Sequence, residues 1–514
     1  MYDAVIIGAG VNGAAAARAL SGYRLKLAVL ERASDVCEGT SKANSGIIHA
    51  GYDAKPGTLK AKLNVRGSEM MEELSKELGF FYRRCGAFVV CFDEAGTEGL
   101  RELKKRGEKN GVKELRIIDG SEARELEPNL SKEVFAALYA PSGAVADPFG
   151  MNIALAENAA VNGAEFHFLT EVTGIERIEG GYRIFVKKTP SAAYEAVSKI
   201  PETLHIYDPE TEYYDTKTVI NAAGVYADRI HNMISAGKIG IVPRRGEYML
   251  LDNTVGDYVG RTIFQLPGKL GKGILVTPTV HGNILVGPTA ENLPDREDTG
   301  TSAKGLEKVK NTALLTAPEL PLKEVITSFS GLRAHLETRA ALKNREEEDV
   351  EGDFMLGEIP DAPGFFDMAG MESPGLSCAP AAGEYIAGLV RDLLRPEKDP
   401  GFHGKREAIP NMAVSSEDHR KELIAKDGRF ANIICRCCTV SEGELVNAIR
   451  RPLGATTSDG LKRRTGAGMG RCQAGFCNPR AVEILTKELD ITPGDVCKND
   501  PGSEFLAGGT EYEL

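Results

Sequence analysis

The first 31 residues constrain this chain more than any other stretch. Residues 2–7, Tyr-Asp-Ala-Val-Ile-Ile, form a short apolar run of the kind that fills a buried parallel strand. Gly8-Ala9-Gly10-Val11-Asn12-Gly13 follows directly, then an alanine-rich helical stretch to about Leu20, then a second apolar run over 25–30 ending at Glu31. Strand, Gly-x-Gly-x-x-Gly, helix, strand and acid in that order describe a dinucleotide-binding start. Gly8 permits the tight turn, Gly10 lets the backbone approach a pyrophosphate, and Gly13 lets helix and strand pack closely. The free N–H groups and dipole at the helix N-terminus favour the anion. Glu31, 18 residues after Gly13, can accept hydrogen bonds from a ribose 2′-OH, and Arg32 follows it as a further expected contact. The motif alone does not separate FAD from NAD.

At 514 residues the chain exceeds one compact domain and fits about two to four. A formal net charge of −12 argues against a general nucleic-acid binder, because no basic field would attract phosphates. No uninterrupted apolar run reaches the roughly 18–20 residues of a membrane helix. The N-terminus enters a strand at once, without the basic n-region of a signal peptide. A cytoplasmic protein is expected, with peripheral association at the inner face of a membrane still compatible.

Six of the ten cysteines, Cys435, Cys437, Cys438, Cys472, Cys477 and Cys497, crowd the last 80 positions. A disulfide framework is unusual in a large chain without a secretion signal, so metal ligation is the better reading. The pattern is Cys435-x-Cys437, 34 intervening residues, then Cys472-x₄-Cys477. Four thiolates suit a 2Fe–2S cluster. Structural zinc favours Cys-x₂₋₄-Cys pairs, and a redox disulfide is a third possibility. Ser441 and Glu444 predict a capping box, Thr457 or Ser458 caps a second helix, and Pro479 starts a third. Arg436, Lys462, Arg463, Arg464 and Arg471 would either offset an anionic cluster or form a solvated basic face.

Three further stretches resemble the D-amino-acid-oxidase-like flavoprotein superfamily: 40–51 (Thr-Ser-Lys-Ala-Asn-Ser-Gly-Ile-Ile-His-Ala-Gly), 219–224 (Val-Ile-Asn-Ala-Ala-Gly) and 368–376 (Met-Ala-Gly-Met-Glu-Ser-Pro-Gly-Leu). They run in the family's order. The resemblance implies FAD, contacted by Thr40, Ser41, Asn44, Ser45, Gly46, Ile48, Ala223, Gly224, Gly370, Pro374, Gly375 and Leu376. It also implies an α/β architecture: a Rossmann-like FAD domain from residues 1–80, 145–232 and 330–395, interleaved with an antiparallel substrate domain from 81–144 and 233–329. Residues 187–217 read as a long excursion of unassigned role, 396–428 as a linker, and 491–514 as a tail. The segment 429–490 resembles a bacterioferritin-associated-ferredoxin-like module, through Cys435-Arg436-Cys437, 460–465 and 468–473. That resemblance implies a small helical 2Fe–2S domain with Cys435, Cys437, Cys472 and Cys477 as ligands. Cys438 departs from the family text, which usually has an acid there.

His49 ends the second flavin stretch and is expected to take a proton from a substrate hydroxyl while hydride leaves for the flavin. Ser330-Gly331-Leu332-Arg333 resembles the anion-binding motif of flavin glycerol-3-phosphate and L-2-hydroxyglutarate dehydrogenases, which implies a guanidinium clamp at Arg333. Arg245 and Tyr248 resemble pocket residues of the same enzymes. Together these imply a dehydrogenase of a small anionic hydroxy substrate, glycerol 3-phosphate ahead of L-2-hydroxyglutarate, passing electrons through the cluster to a protein or quinone. The alternatives are an amino-acid or amine dehydrogenase, for which Glu247 is the available pocket carboxylate, and a non-catalytic electron-transfer module.

Overall fold

The computed structural model describes residues 1–266, 273–337 and 352–506. Eight strands form the first sheet. Tyr2–Ile7 lies at its centre, parallel to Leu27–Leu30 on one side and Tyr213–Asn221 on the other. Glu165–His167 and Ala362–Ala369 extend this parallel part outward. The hairpin Thr170–Ile178 and Gly181–Lys188 joins antiparallel to Tyr213–Asn221. Residues 4–7 are buried on both faces, which is why the strand reads as a continuous apolar run without alternation. The helices Val11–Leu20 and Gly375–Leu394 pack on it, with Pro148–Val161 against Val11–Leu20, and Ala14, Ala15, Ala16 and Ala17 give a surface of small side chains for close approach.

The second sheet has nine strands, antiparallel except where Thr262–Gln265 lies parallel to Ala87–Cys91. Its spine is Ile241–Leu251, paired along its length with Val325–Leu336. Residues 330–336, assigned from sequence to the flavin domain, therefore belong to this sheet: an 11-residue strand offers one continuous ladder, and breaking it midway would strand buried backbone groups. Phe88, Val90, Ile263, Val276 and Val286 form its core, with the helix Ala303–Thr316 packed on Ile241–Leu251.

The last segment is a small helical unit: Glu442–Ile449, Ser458–Thr465 and Asn478–Leu489. Ser441 and Glu444 make the capping box, and Thr457 caps the second helix through Gly460 N–H. The stretch 396–428, expected to be a linker, lies along the flavin domain as a strap. Its backbone bonds to Arg24 and Gly22, and Asn158 holds the carbonyls of His403 and Lys405. The excursion 187–217 carries the helix Ala192–Val197 and packs against the helical unit, where Leu204 N–H bonds Pro452 O at 2.7 Å and His205 Nε2 sits 3.0 Å from Gly454 O. Polar composition hid both contacts, because backbone groups and single polar side chains make them rather than an apolar face.

Two buried charge clusters fix the helical unit to the flavin domain. Asp35 meets Arg463 Nη2 at 2.9 Å and Arg464 Nη2 at 2.8 Å, and Arg463 also pairs with Glu38. Glu157 meets Arg406 Nε at 2.6 Å and Arg451 Nη2 at 2.8 Å. Burial by itself would raise both carboxyls, but the guanidiniums prevail and hold Asp35 and Glu157 at about 2. Arg463 and Arg464 are thus neither a solvated face nor counter-charges for a cluster. They are spent on Asp35.

Glu157→Gln would leave two guanidiniums buried without their charge partner and should destabilise the protein by about 3–5 kcal/mol, read from the first urea-unfolding transition. An unfolded carboxyl titrates near ~4, above the folded value. The stabilisation is therefore complete above that range and fades as pH falls from there toward 2. Acid should weaken the wild type more steeply than Glu157→Gln, and equal pH slopes would contradict the assignment.

Candidate functional site

A cavity of about 2500 Å³ runs from the first strand–helix turn to the cysteine unit, larger than the roughly 300–1,000 Å³ of an ordinary small-ligand pocket. At one end lie Gly8, Gly10, Asn12, Glu31 and Arg32. A Cβ on Gly13 would stand 2.0 Å from Gly8 O, so only glycine lets helix and strand meet there. Gly10 opens onto the cavity, and a Cβ at that position would meet only Ser41 Oγ, at 3.2 Å. Ser41 Oγ accepts from Val11 N–H at 2.9 Å. Glu31 accepts from Ala9 N–H at 2.7 Å and Ala33 N–H at 3.0 Å. Burial raises its carboxyl, and those two N–H groups oppose the rise. The amide oxygen of Asn12 is buried without a partner among the described residues. A glycine-lined helix N-terminus, an acid behind it and an orphaned amide fit a dinucleotide diphosphate. Arg32 lies over the Tyr226 ring and pairs with Glu297 at 3.2 Å.

The loop 40–46 borders the middle of the cavity. Asn44 braces it, donating to Ser41 O at 2.8 Å and accepting from Gly46 N–H at 2.9 Å. Thr40 Oγ1 donates to Leu332 O, and a Cβ on Gly331 would fall 1.9 Å from Ala43 O. The loop thus rests on the strand that carries Arg333. Ser45, Ala223, Gly224, Pro374, Gly375 and Leu376 also line the cavity. Ile48 does not: it is fully buried in the core behind the loop, because Ile47 and Ile48 occupy alternate faces of a short strand. Gly370 makes the turn before the cavity-lining run, at φ +68° against Leu336.

His49 lines the cavity beside Phe264, ring centroids 5.7 Å apart. Its backbone is fixed at both ends, by N–H to Ser377 Oγ at 2.8 Å and by Asn64 Nδ2 to its carbonyl at 2.7 Å. Arg333 lines the same space, with Nη2 on Thr289 O at 2.8 Å, and Tyr248 is stacked on Phe329 at 4.9 Å. Burial raises the Tyr248 hydroxyl, opposed by Arg333.

Arg245 does not face this cavity. It turns to Glu291 at 2.8 Å and Asp298 at 3.1 Å. Side chains alternate along a strand, so Arg245 and Tyr248, three apart, cannot share a face. Arg244, four from Tyr248, does line the cavity, and its register partner across the ladder is Arg333. Sequence reading missed Arg244, although even spacing from Tyr248 would have found it. Glu372 also lines the cavity, 3.8 Å from Arg244. Glu247 turns away, accepting from Ser302 N–H and Oγ and from Thr289 Oγ1.

At the far end the cysteines gather. The Cys435 thiol is held down by S–H donation from Cys438 and Cys477, whose own thiols are pushed up. Cys437 and Cys472 are exposed, with Cys437 against Gly470. Among the described residues no three His, Cys, Asp or Glu side chains converge as a single ion would require. A two-iron cluster asks for something else, two protein ligands on each iron. Cys438 and Cys477 face Cys435, with Cys437 beside Cys438 and Cys472 beside Cys477, so enough thiols gather in one place for that group. Arg436 stacks on Phe476 at 4.9 Å, and Arg471 reaches Asp252 at 3.1 Å at the end of the strand carrying Arg244. Cys437 and Cys438 line the same cavity as the dinucleotide turn.

Residues 3–389 match the FAD dependent oxidoreductase family, and residues 433–487 match the BFD-like [2Fe-2S] binding domain. A glycerol 3-phosphate dehydrogenase from Caloramator mitchellensis is 46% identical over 515 residues, covering 100% of both chains. Human mitochondrial L-2-hydroxyglutarate dehydrogenase is 30% identical over 56% of this chain and 61% of its own. The solved structure of dithionite-reduced L-alpha-glycerophosphate oxidase from Mycoplasma pneumoniae, with FAD bound, superposes with a TM-score of 0.69 at 30% identity, over 79% of this chain and 98% of that one. With its strand–glycine–helix turn, its braced second loop and its thiol cluster opening on one cavity, the chain belongs to the FAD-dependent oxidoreductase family and carries a BFD-like 2Fe–2S domain.

Proposed function

We propose that this enzyme oxidises glycerol 3-phosphate to dihydroxyacetone phosphate and sends the electrons through its cluster to an acceptor protein or quinone. The observation that carries the reading is the pair Arg244 and Arg333, opposite one another on neighbouring strands and lining the cavity that His49 also lines. Two guanidiniums side by side suit a phosphate dianion, which accepts several charge-assisted hydrogen bonds at once. The full-length relative named for that substrate supports the choice.

When bound, FAD supplies the hydride acceptor and the cluster a one-electron exit. The chain's own residues do the rest. Arg333 and Arg244 anchor the anion and so fix which carbon faces the flavin. His49, its backbone held by Ser377 and Asn64, takes the hydroxyl proton. Tyr248 and Phe329 wall the pocket. An amine substrate would want a free carboxylate in the pocket; Glu247 is occupied on the other face, and Glu372, which lines the cavity, is engaged by His335 at 3.2 Å and lies 3.8 Å from Arg244. L-2-Hydroxyglutarate is the second reading, supported by the relatives of that name. A non-catalytic module would leave His49 and both arginines without use. The cluster ligands in this reading are Cys435, Cys437, Cys472 and Cys477. Cytoplasmic work is proposed, with peripheral contact to the membrane's inner face if the acceptor is a quinone; among the described residues no helix is long and apolar enough to cross a membrane.

Arg333→Met should lower kcat/KM for glycerol 3-phosphate by about 10²–10³, the weight of two hydrogen bonds to a charged group, with little change in melting temperature. A loss below about threefold would remove Arg333 from the anion site, and turnover of 2-hydroxyglutarate without glycerol 3-phosphate would reverse the substrate. Iron content should survive Cys438→Ser and be lost in Cys437→Ser, with the flavin absorbance kept in both. The opposite pattern would make Cys438 the ligand.

A further inference from the structure

Glu31 marks the ribose end of the dinucleotide site, and the residues just after it are covered by the far end of the chain. Ser34 donates its N–H to Asp500 Oδ1 at 2.7 Å and its hydroxyl to Asn499 O at 3.1 Å. Asp35 holds Arg463 and Arg464, and Arg463 Nη1 reaches Asn499 Oδ1 at 3.3 Å. The segment from Cys497 is in turn tied to the helix Ser458–Thr465, with Ser458 N–H on Cys497 O at 3.2 Å and Asp459 N–H on Lys498 O at 2.8 Å. Ser34 and Asp35 are both almost fully buried beneath these contacts. This joined piece borders the cavity: Lys462, Lys498 and Asp500 line it together with Glu31, Arg32 and Lys42.

We propose that the iron–sulfur module closes the ADP end of the flavin site, with the helix Ser458–Thr465 and the segment 498–501 as its wall, so that FAD enters and leaves only when the module lifts away. This rests on reading Glu31 as the ribose acceptor. The chemistry suits the place. Lys462 and Lys498 line the cavity with Glu31 and Arg32, and Lys498 Nζ is held by Asp459 Oδ2 at 2.7 Å, so both amines sit on the wall that a bound ADP moiety would cover. The wall is anchored by a buried charge cluster, so it opens by undocking the module as a unit rather than by loop motion. Loss of the cluster's local fold would then loosen the flavin as well, tying retention of one redox group to the other.

Lysine acylation of the intact, full-length protein, read by peptide mass spectrometry, tests this directly. FAD and ADP should each protect Lys462 and Lys498 about tenfold relative to flavin-free protein, whereas FMN should not. Bound FAD with both lysines still fully reactive would overturn the proposal. Protein that retained neither FAD nor ADP would overturn the dinucleotide reading beneath it, and the proposal with it. Independently, Asp500→Ala should release FAD about tenfold faster, followed as recovery of free-flavin fluorescence, while Asp495→Ala, in the neighbouring turn Pro493–Asp495 and off the cavity, should not. An unchanged release rate in Asp500→Ala would count against the wall. Should that variant fail to fold, the footprint on the unaltered chain decides.

Discussion

Two carboxylates with almost no solvent exposure, Asp35 and Glu157, organise the relation between the halves of this molecule. A charge inside a protein costs several kcal/mol unless it is paired and hydrogen-bonded, and each of these meets two arginines contributed by later parts of the chain. Asp35 sits just beyond the strand that leads to Glu31, and Glu157 on a helix packed against Val11–Leu20. Their partners lie on the strap and on the cysteine unit. The geometry between flavin cradle and thiols is therefore fixed by buried charge, while the contacts that Arg471 adds to Asp252 are exposed at the arginine and worth little in comparison.

With that geometry fixed, one cavity can serve three tasks. Its dinucleotide end is built from backbone N–H groups and Glu31, its middle from His49 and two arginines on adjacent strands, and its far end opens on Cys437 and Cys438. The long ladder between Ile241–Leu251 and Val325–Leu336 is what sets Arg244 against Arg333. The loop 40–46 rests on the same ladder through Thr40 and Gly331, so that loop and the Arg244–Arg333 pair are held in one frame. A small displacement in either would move both, which matters because hydride transfer depends on near-contact alignment.

Features whose physics is local are legible in the amino-acid sequence. The turn Gly8–Gly13 with Glu31, the capping box of Ser441 and Glu444, and the thiol spacing of the last segment are each set by residues close in the chain, where backbone sterics and helix ends dictate residue type. The failures share a different cause. Arg245 has the neighbourhood of a pocket residue, but strand alternation turns it outward and brings Arg244 in. Ile48 stands in the flavin stretch and is core. Arg463 and Arg464 look like counter-charges for a cluster because nothing near them in sequence shows Asp35, more than 400 residues away.

The sequence by itself determined the dinucleotide turn, the family, the presence of a helical thiol unit and the kind of chemistry these support, because those depend on short-range conformation and on donor types. Only the tertiary structure decided which arginines line the cavity, what the excursion at 187–217 and the strap at 396–428 pack against, and where the thiol unit sits on that cavity. Those outcomes come from strand register and from pairing of buried charge, and both act between residues that the chain keeps far apart until it folds.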